Sequence, residues 1–128
     1  MRRKWPVIIL IADDDPEFRD QLKRLLGRDL EACLVQAGDG DEAVRLAHEF
    51  QPDVVLMDIS MPRMGGLEAA RQIKAERPET KVIVVTVHDQ EPYRAAARES
   101  GGDAFVVKRA VPADLIPAIR SLVRMQSA

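Results

Sequence analysis

The chain carries its chemically capable residues at the ends of short apolar runs. Val7–Ala12 runs into Asp13, Asp14 and Asp15, and Val54–Met57 runs into Asp58. Val82–Val85 ends in Thr86, and Ala104–Val107 ends in Lys108. Neighbouring carboxylates about 5 Å apart, at an effective dielectric of about 20, repel by roughly 3 kcal/mol per pair. The acidic run therefore demands a nearby cation, or a segment splayed into water. Three carboxylates on two strands form a hard oxygen site for a divalent cation such as magnesium, which takes one or two carboxylates and keeps several waters. The Thr86 hydroxyl and the Lys108 ammonium suit a dianion such as phosphate. A cation on one flank and Lys108 on the other describe a phosphoryl-transfer site, where positioning and charge neutralisation dominate. Asp58, between them, is the natural nucleophile.

These residues meet only if the chain folds so that the runs end side by side. Five apolar runs, Val7–Ala12, Ala32–Ala37, Val54–Met57, Val82–Val85 and Ala104–Val107, are continuous and bounded by polar residues. That pattern suits strands buried on both faces of a parallel sheet. Helical spacing fills the gaps. Phe18, Leu22, Leu25 and Leu26 form one stripe, opened by Asp15 as N-cap and Pro16 at the first helical position. Ala43, Leu46, Ala47 and Phe50 form a second, and Leu67, Ala70 and Ile73 a third. Tyr93, Ala96 and Ala97 form a fourth, stopped by Gly101-Gly102. Leu115, Ile116, Ile119, Leu122 and Val123 form the last, with Pro117 removing one backbone hydrogen bond and expected to kink it. Strand–helix alternation five times over predicts an α/β fold with helices on both faces of a parallel sheet. In such sheets ligands bind beyond the carboxyl ends of the strands, where Asp13, Asp14, Asp58, Thr86 and Lys108 all stand. Only the second run ends blandly, in Ala37 and Gly38, as an edge strand away from the site could.

Composition narrows the class. The 128 residues suit one domain over 1–128, with 46% apolar and 31% charged residues. A net charge of -2 argues against a broad basic face for nucleic acid or acidic lipid. The start "MRRKWPVIIL" imitates a signal peptide, but its apolar run is too short and no cleavage-like site follows. No stretch reaches membrane-spanning length. The lone Cys33 forms no internal disulfide and fits a reducing compartment, so a cytoplasmic location is expected.

The stretches "ILIADDDP", "DVVLMDISMPRMGGLEAARQIK", "VIVVTVHDQ" and "GGDAFVVKRAVPADL" together resemble the receiver domain of bacterial two-component response regulators. The resemblance spans about residues 6–126 and is nearest in wording to receivers that precede a helix-turn-helix DNA-binding domain. It implies a flavodoxin-like fold with strand order 2-1-3-4-5. It also implies phosphorelay signalling, with a sensor histidine kinase as phosphodonor and magnesium as cofactor. Asp58 would be the phosphoacceptor. Asp14 would hold magnesium directly, Asp13 mainly through water, and Ser60 through its backbone carbonyl. Lys108 would pair with the phosphoryl oxygens and Thr86 would swing to meet one of them. Phe105 occupies the switch-aromatic position and would turn inward with Thr86. The surface of helix four, strand five and helix five would then change, favouring a homodimer or controlling an output domain, in a transcription-regulating role.

The chain departs from that pattern in four places. Asp15 stands where related sequences often carry His, and Arg109 stands where many have Pro, so no cis peptide is expected there. Val87 is larger than the usual residue after the Thr, which would crowd Asp58 or restrict the switch. Phe105 lacks the hydroxyl of the commoner Tyr. None removes a required chemical group.

A phosphatase of the haloacid-dehalogenase type uses a similar kit, but carries a second Asp two residues after its nucleophile, where this chain has Ser60. A flavin-binding module would need a phosphate cradle after the first strand, where Asp13–Asp15 would repel a phosphate. A degenerate receiver serving only as an interaction module would not need the intact acceptor, acidic pair, Thr and Lys. Other residues read as ordinary. His48 is expected at the surface, Cys33 in the core, His88 as a solvated loop residue, and Trp5 as packing at the start of the first strand. Ser60 and His88 also stand where the resemblance places residues that tune dephosphorylation. The chain would serve alone or at the front of a longer regulator. No recognition helix remains after the last stripe, so this fragment is not expected to bind DNA.

Overall fold

A computed structural model describes residues 6–123; Trp5 lies outside them. Five strands alternate with five α-helices. They run β1 Val7–Ala12, α1 Pro16–Asp29, β2 Ala32–Ala37, α2 Gly40–Phe50, β3 Val54–Met57, α3 Gly66–Glu76, β4 Lys81–Thr86, α4 Glu91–Glu99, β5 Ala104–Val107 and α5 Val111–Leu122. β4 is one residue longer at each end than its apolar core, and a 3-10 turn, Lys108–Ala110, joins β5 to α5. All pairings are parallel and the order is 2-1-3-4-5. This is the flavodoxin-like arrangement the resemblance implies.

Strand side chains alternate between two cores. Ile9, Ile11, Val54, Leu56, Ile83 and Val85 pack against Leu22 and Leu26 of α1 and Leu115, Ile116 and Ile119 of α5. Leu10, Ala12, Val55, Met57, Val82 and Val84 face α2, α3 and α4, which meet them through Ala43, Ala47, Ala69, Ala70, Ile73 and Ala97. The second core uses alanines almost throughout, so those helices lie close to the sheet. Each fully buried Ile, Leu or Val contributes about 1.5–3 kcal/mol, and the apolar runs supply enough of them to hold both layers. Pro117 lies inside α5, exposed on the side away from the core.

The topology fixes where a site can form. β2 lies to one side of β1, and β3, β4 and β5 to the other, so the strand order reverses between β1 and β3. The crevice beyond their carboxyl ends is the expected ligand position.

Candidate functional site

β1 and β3 pair through Ala12 and Met57, which brings the next residues, Asp13 and Asp58, side by side. The Asp58 N–H donates to the Ala12 carbonyl at 3.0 Å, and the Asp13 N–H donates to the Ala37 carbonyl at 3.0 Å. The chain then turns sharply. Asp13 Oδ1 accepts the Asp15 N–H at 2.9 Å, and Asp15 caps α1 by accepting the Glu17 N–H. Asp15 is thus committed to the helix end, as its position before Pro16 predicts. After Asp58, the Gly66 N–H donates to the Ile59 carbonyl at 2.8 Å. A Cβ at Gly66 would stand 1.7 Å from the Asp58 carbonyl oxygen, so only glycine lets α3 start this close to Asp58.

Asp13, Asp14 and Asp58 converge: one carboxylate oxygen of each lies within 4.8 Å of the other two. Asp13 and Asp58 are buried while Asp14 is exposed, which gives the cluster a mouth toward solvent. Lys108 supplies the cation that the acidic run demands. Its Nζ lies 2.8 Å from Asp13 Oδ2 and 3.6 Å from Asp58 Oδ2, and 4.2 Å from the centre of the Phe18 ring. Burial, and next the Asp13 charge, push the Asp58 carboxyl up to about 6, against the pull of Lys108 and the Ile59 N–H. Burial works against the Lys108 ammonium, but Asp13 first, then Asp58, outweigh it and hold its pKa above the ordinary lysine value.

The donor set fits a hard divalent cation. It consists only of carboxylate oxygens, and among the described residues buried Asp13 Oδ2 is met only by the Lys108 ammonium, 2.8 Å away. Ser60 is exposed on the loop two residues after Asp58.

Thr86 ends β4, buried, and its Oγ1 accepts the His88 N–H at 3.3 Å. His88 is half-buried and stacks on Tyr93, with ring centres 4.3 Å apart. That corrects the expectation of a solvated loop histidine: an aromatic neighbour at the start of α4 holds it. Arg109 binds Asp89 at 2.6 Å and keeps the Asp89 carboxyl below the usual carboxylate range. The Arg94 guanidinium lies over the half-buried Phe105 ring, 4.6 Å from its centre, and donates to the Asp89 carbonyl. Val87 stands 63% exposed. Cys33 is also exposed, contrary to the core placement expected, because β2 is an edge strand whose outer positions meet water. His48 is at the surface as expected, paired with Glu76.

Two contacts of the site had no signal in residue spacing. Phe18 sits under Lys108 although it is part of an ordinary apolar stripe on α1. Arg19, next to it, donates from Nη1 to the Asp13 carbonyl at 2.7 Å. A basic residue four positions after the N-cap was the only hint.

Residues 9–120 match the family model of the response regulator receiver domain. The uncharacterized transcriptional regulatory protein YxjL of Bacillus subtilis strain 168 is 35% identical over 122 residues, covering 94% of this chain and 56% of that protein. A two-component response regulator of the LuxR family from Aurantimonas sp. SI85-9A1 superposes with a TM-score of 0.85 at 33% identity, covering 94% of this chain and 88% of that one. The response regulator TrrA of Thermotoga maritima, solved in complex with Mg(2+)-BeF, gives 0.83 at 30% identity, covering 91% of this chain and 99% of that one. The chain spans about half the length of the curated relatives it matches.

Proposed function

Because this chain belongs to the response regulator receiver domain family, we propose that it accepts a phosphoryl group on Asp58 from a sensor histidine kinase. Asp13, Asp14, Asp58 and the Ser60 carbonyl would hold magnesium. The observation that carries the reading is the convergence of three carboxylates with Lys108 at the carboxyl ends of β1, β3 and β5.

When bound, magnesium would neutralise phosphoryl oxygens and the acidic cluster together. The residues of the chain do the rest. Asp58, with its carboxyl raised to about 6, is ionised at neutral pH yet more basic than an ordinary carboxylate. One of its oxygens attacks phosphorus as the phosphorus–nitrogen bond of a phosphohistidine breaks. The electron pair stays on the imidazole, which leaves. Lys108, held as an ammonium, turns from Asp13 to the phosphoryl oxygens. The Thr86 hydroxyl exchanges the His88 N–H for a bond donated to the phosphoryl group. The loop after β4 moves with it, Phe105 turns inward, and the surface of α4, β5 and α5 is biased toward a second conformation. Water later cleaves the acyl phosphate at the same site.

The output is read from the relatives, several of which are described as transcriptional regulators. The modified surface would favour a homodimer or release a C-terminal DNA-binding domain, with no nucleic-acid contact assigned to residues 6–123. Among these residues no helix is long and apolar enough to cross a membrane.

The test is incorporation of labelled phosphate from a small acyl phosphate in the presence of magnesium. Wild type should take up one equivalent and Asp58→Asn none. Normal stoichiometry in the variant would remove Asp58 from the role. Rapid turnover of phosphate esters would point instead to a phosphatase.

A further inference from the structure

Arg19 lies half-buried on α1 beside an acidic turn, with Asp13, Asp14, Asp15, Glu17 and Asp20 all within six residues of it. Among the described residues it forms no ion pair with any carboxylate. Its guanidinium goes elsewhere: Nη1 donates to the Asp13 main-chain carbonyl at 2.7 Å, and Nε donates to the Gln36 side chain on β2 at 3.0 Å. The same Asp13 donates its N–H to Ala37 of β2, and the Arg19 N–H donates to the Asp15 carbonyl. The main chain of Asp13 is therefore gripped from both sides, at the point where β1 ends and the carboxylates of Asp13 and Asp14 converge with that of Asp58.

We propose that Arg19 is a positioning residue of the cation site: by fixing the Asp13 carbonyl to α1 and β2 it sets the direction in which Asp13 and Asp14 present their carboxylates. The inference rests on the reading of the acidic cluster as a magnesium site. It follows from how the guanidinium is used. A cation placed only to relieve repulsion would pair with the carboxylates and compete with the metal. Arg19 binds a carbonyl and an amide instead, which leaves the carboxylate oxygens available. A planar fork can hold two acceptors at fixed angles, whereas a lysine ammonium on a flexible stem cannot.

The two roles predict opposite signs, which makes the inference testable. If Arg19 acted only by its charge, Arg19→Gln would remove a repelling cation and tighten magnesium binding. If it positions, both Arg19→Gln and Arg19→Lys weaken binding, although Lys keeps the charge. Loss of an outer partner of a metal ligand typically costs about 10–100-fold in affinity. Here the bond is to the main chain rather than to the ligand carboxylate, so about three- to tenfold is expected. Gln36→Leu removes one leg of the fork without touching the acidic turn, and should weaken binding by a smaller factor in the same direction.

The experiment titrates magnesium alone into each protein and follows amide NMR shifts, with melting temperatures recorded in the absence of metal. Weaker binding in Arg19→Lys and Arg19→Gln supports positioning. Tighter binding, or lower melting temperatures with unchanged affinity, overturns it. Gln36→Leu carries the test if the Arg19 variants do not fold, and unchanged affinity there likewise overturns the proposal. Wild type without any magnesium response would instead overturn the cation-site reading beneath it.

Discussion

Lys108 is closer to Asp13 than to Asp58, with Nζ 2.8 Å from the first carboxylate and 3.6 Å from the second. The lysine therefore bridges the two buried acids. On the proposed function it stands where a metal ion would otherwise neutralise these acids, and it would have to let go of Asp13 to meet a phosphoryl group. Two forces hold it there, the carboxylates and the face of Phe18.

Lys108→Gln should accordingly lower stability without magnesium and respond to the metal more strongly than wild type. Breaking a wholly buried pair costs about 3–5 kcal/mol. Lys108 keeps 18% of its side chain exposed, so the cost should fall near or below the lower end of that range. Thermal unfolding with and without saturating magnesium checks this: the gap between the two melting curves should widen in the variant. Equal gaps would mean that lysine and metal do not share Asp13.

The raised carboxyl of Asp58 carries a pH signature. Its folded value of about 6 lies above the ordinary 3.8, because of burial and of Asp13 and Asp14, with Lys108 opposing. Between pH 4 and 6 the folded state holds the proton more tightly than the unfolded chain does. Stability from this group is therefore full below about pH 4 and falls as pH rises through about 6. Without divalent cation, Asp58→Asn should be more stable than wild type at pH 7, on the order of 2 kcal/mol. The advantage should vanish near pH 4. Urea unfolding at several pH values decides it, and a variant curve parallel to wild type throughout would contradict the burial of a charged Asp58. If magnesium binds here as proposed, protons would compete with it for this carboxylate, so magnesium stabilisation should fade below pH 6.

Two glycines separate packing from flexibility. At Gly66 a methyl group would meet the Asp58 carbonyl at 1.7 Å, and nothing there can yield but backbone. Gly66→Ala should cost several kcal/mol, at or beyond the roughly 1–3 kcal/mol typical of overpacking, and displace the acceptor, so that phosphate uptake falls with stability. Gly27, inside α1, has open space around it, with nothing within 4 Å of the point a methyl group would occupy. Gly27→Ala should raise stability by about 0.5–1 kcal/mol through helix propensity alone and leave uptake unchanged. Circular dichroism melts of the pair, with uptake measured alongside, test both statements.

How much of this could be read from sequence follows the physics of each feature. The strands were legible because β1, β3 and β4 are buried on both faces, which writes unbroken Val and Ile runs. The start of α1 was legible because Asp15 and Pro16 are local signals. Cys33 was misplaced because an edge strand buries only part of its length, and an apolar run does not say which strand is the edge. The acidic cluster was reached from the rule that ligands meet strand ends. What holds it together was not: Phe18 under Lys108, Arg19 on the Asp13 carbonyl and Arg109 on Asp89 are side-chain contacts between elements, with no periodicity to announce them.

The Arg109–Asp89 pair supplies the last prediction. It joins the turn after β5 to the loop after β4, and the same loop contains the His88 N–H that Thr86 Oγ1 now accepts. Arg94 adds a second tie through the Asp89 carbonyl. For Thr86 to turn toward a phosphoryl group, His88 must lose that acceptor and the loop must shift against these ties. Removing the Asp89 carboxylate or the Arg109 guanidinium should therefore favour the shifted loop. An exposed pair is a weak restraint, so the effect should be about two- to fivefold. Asp89→Asn and Arg109→Gln should each bind a magnesium–beryllofluoride phosphoryl mimic more tightly by that factor and exchange the His88 amide faster in its absence. The double variant should do no more than either single one, because both remove the same contact. Unchanged exchange at His88 in all three would show that the pair does not restrain the loop at all.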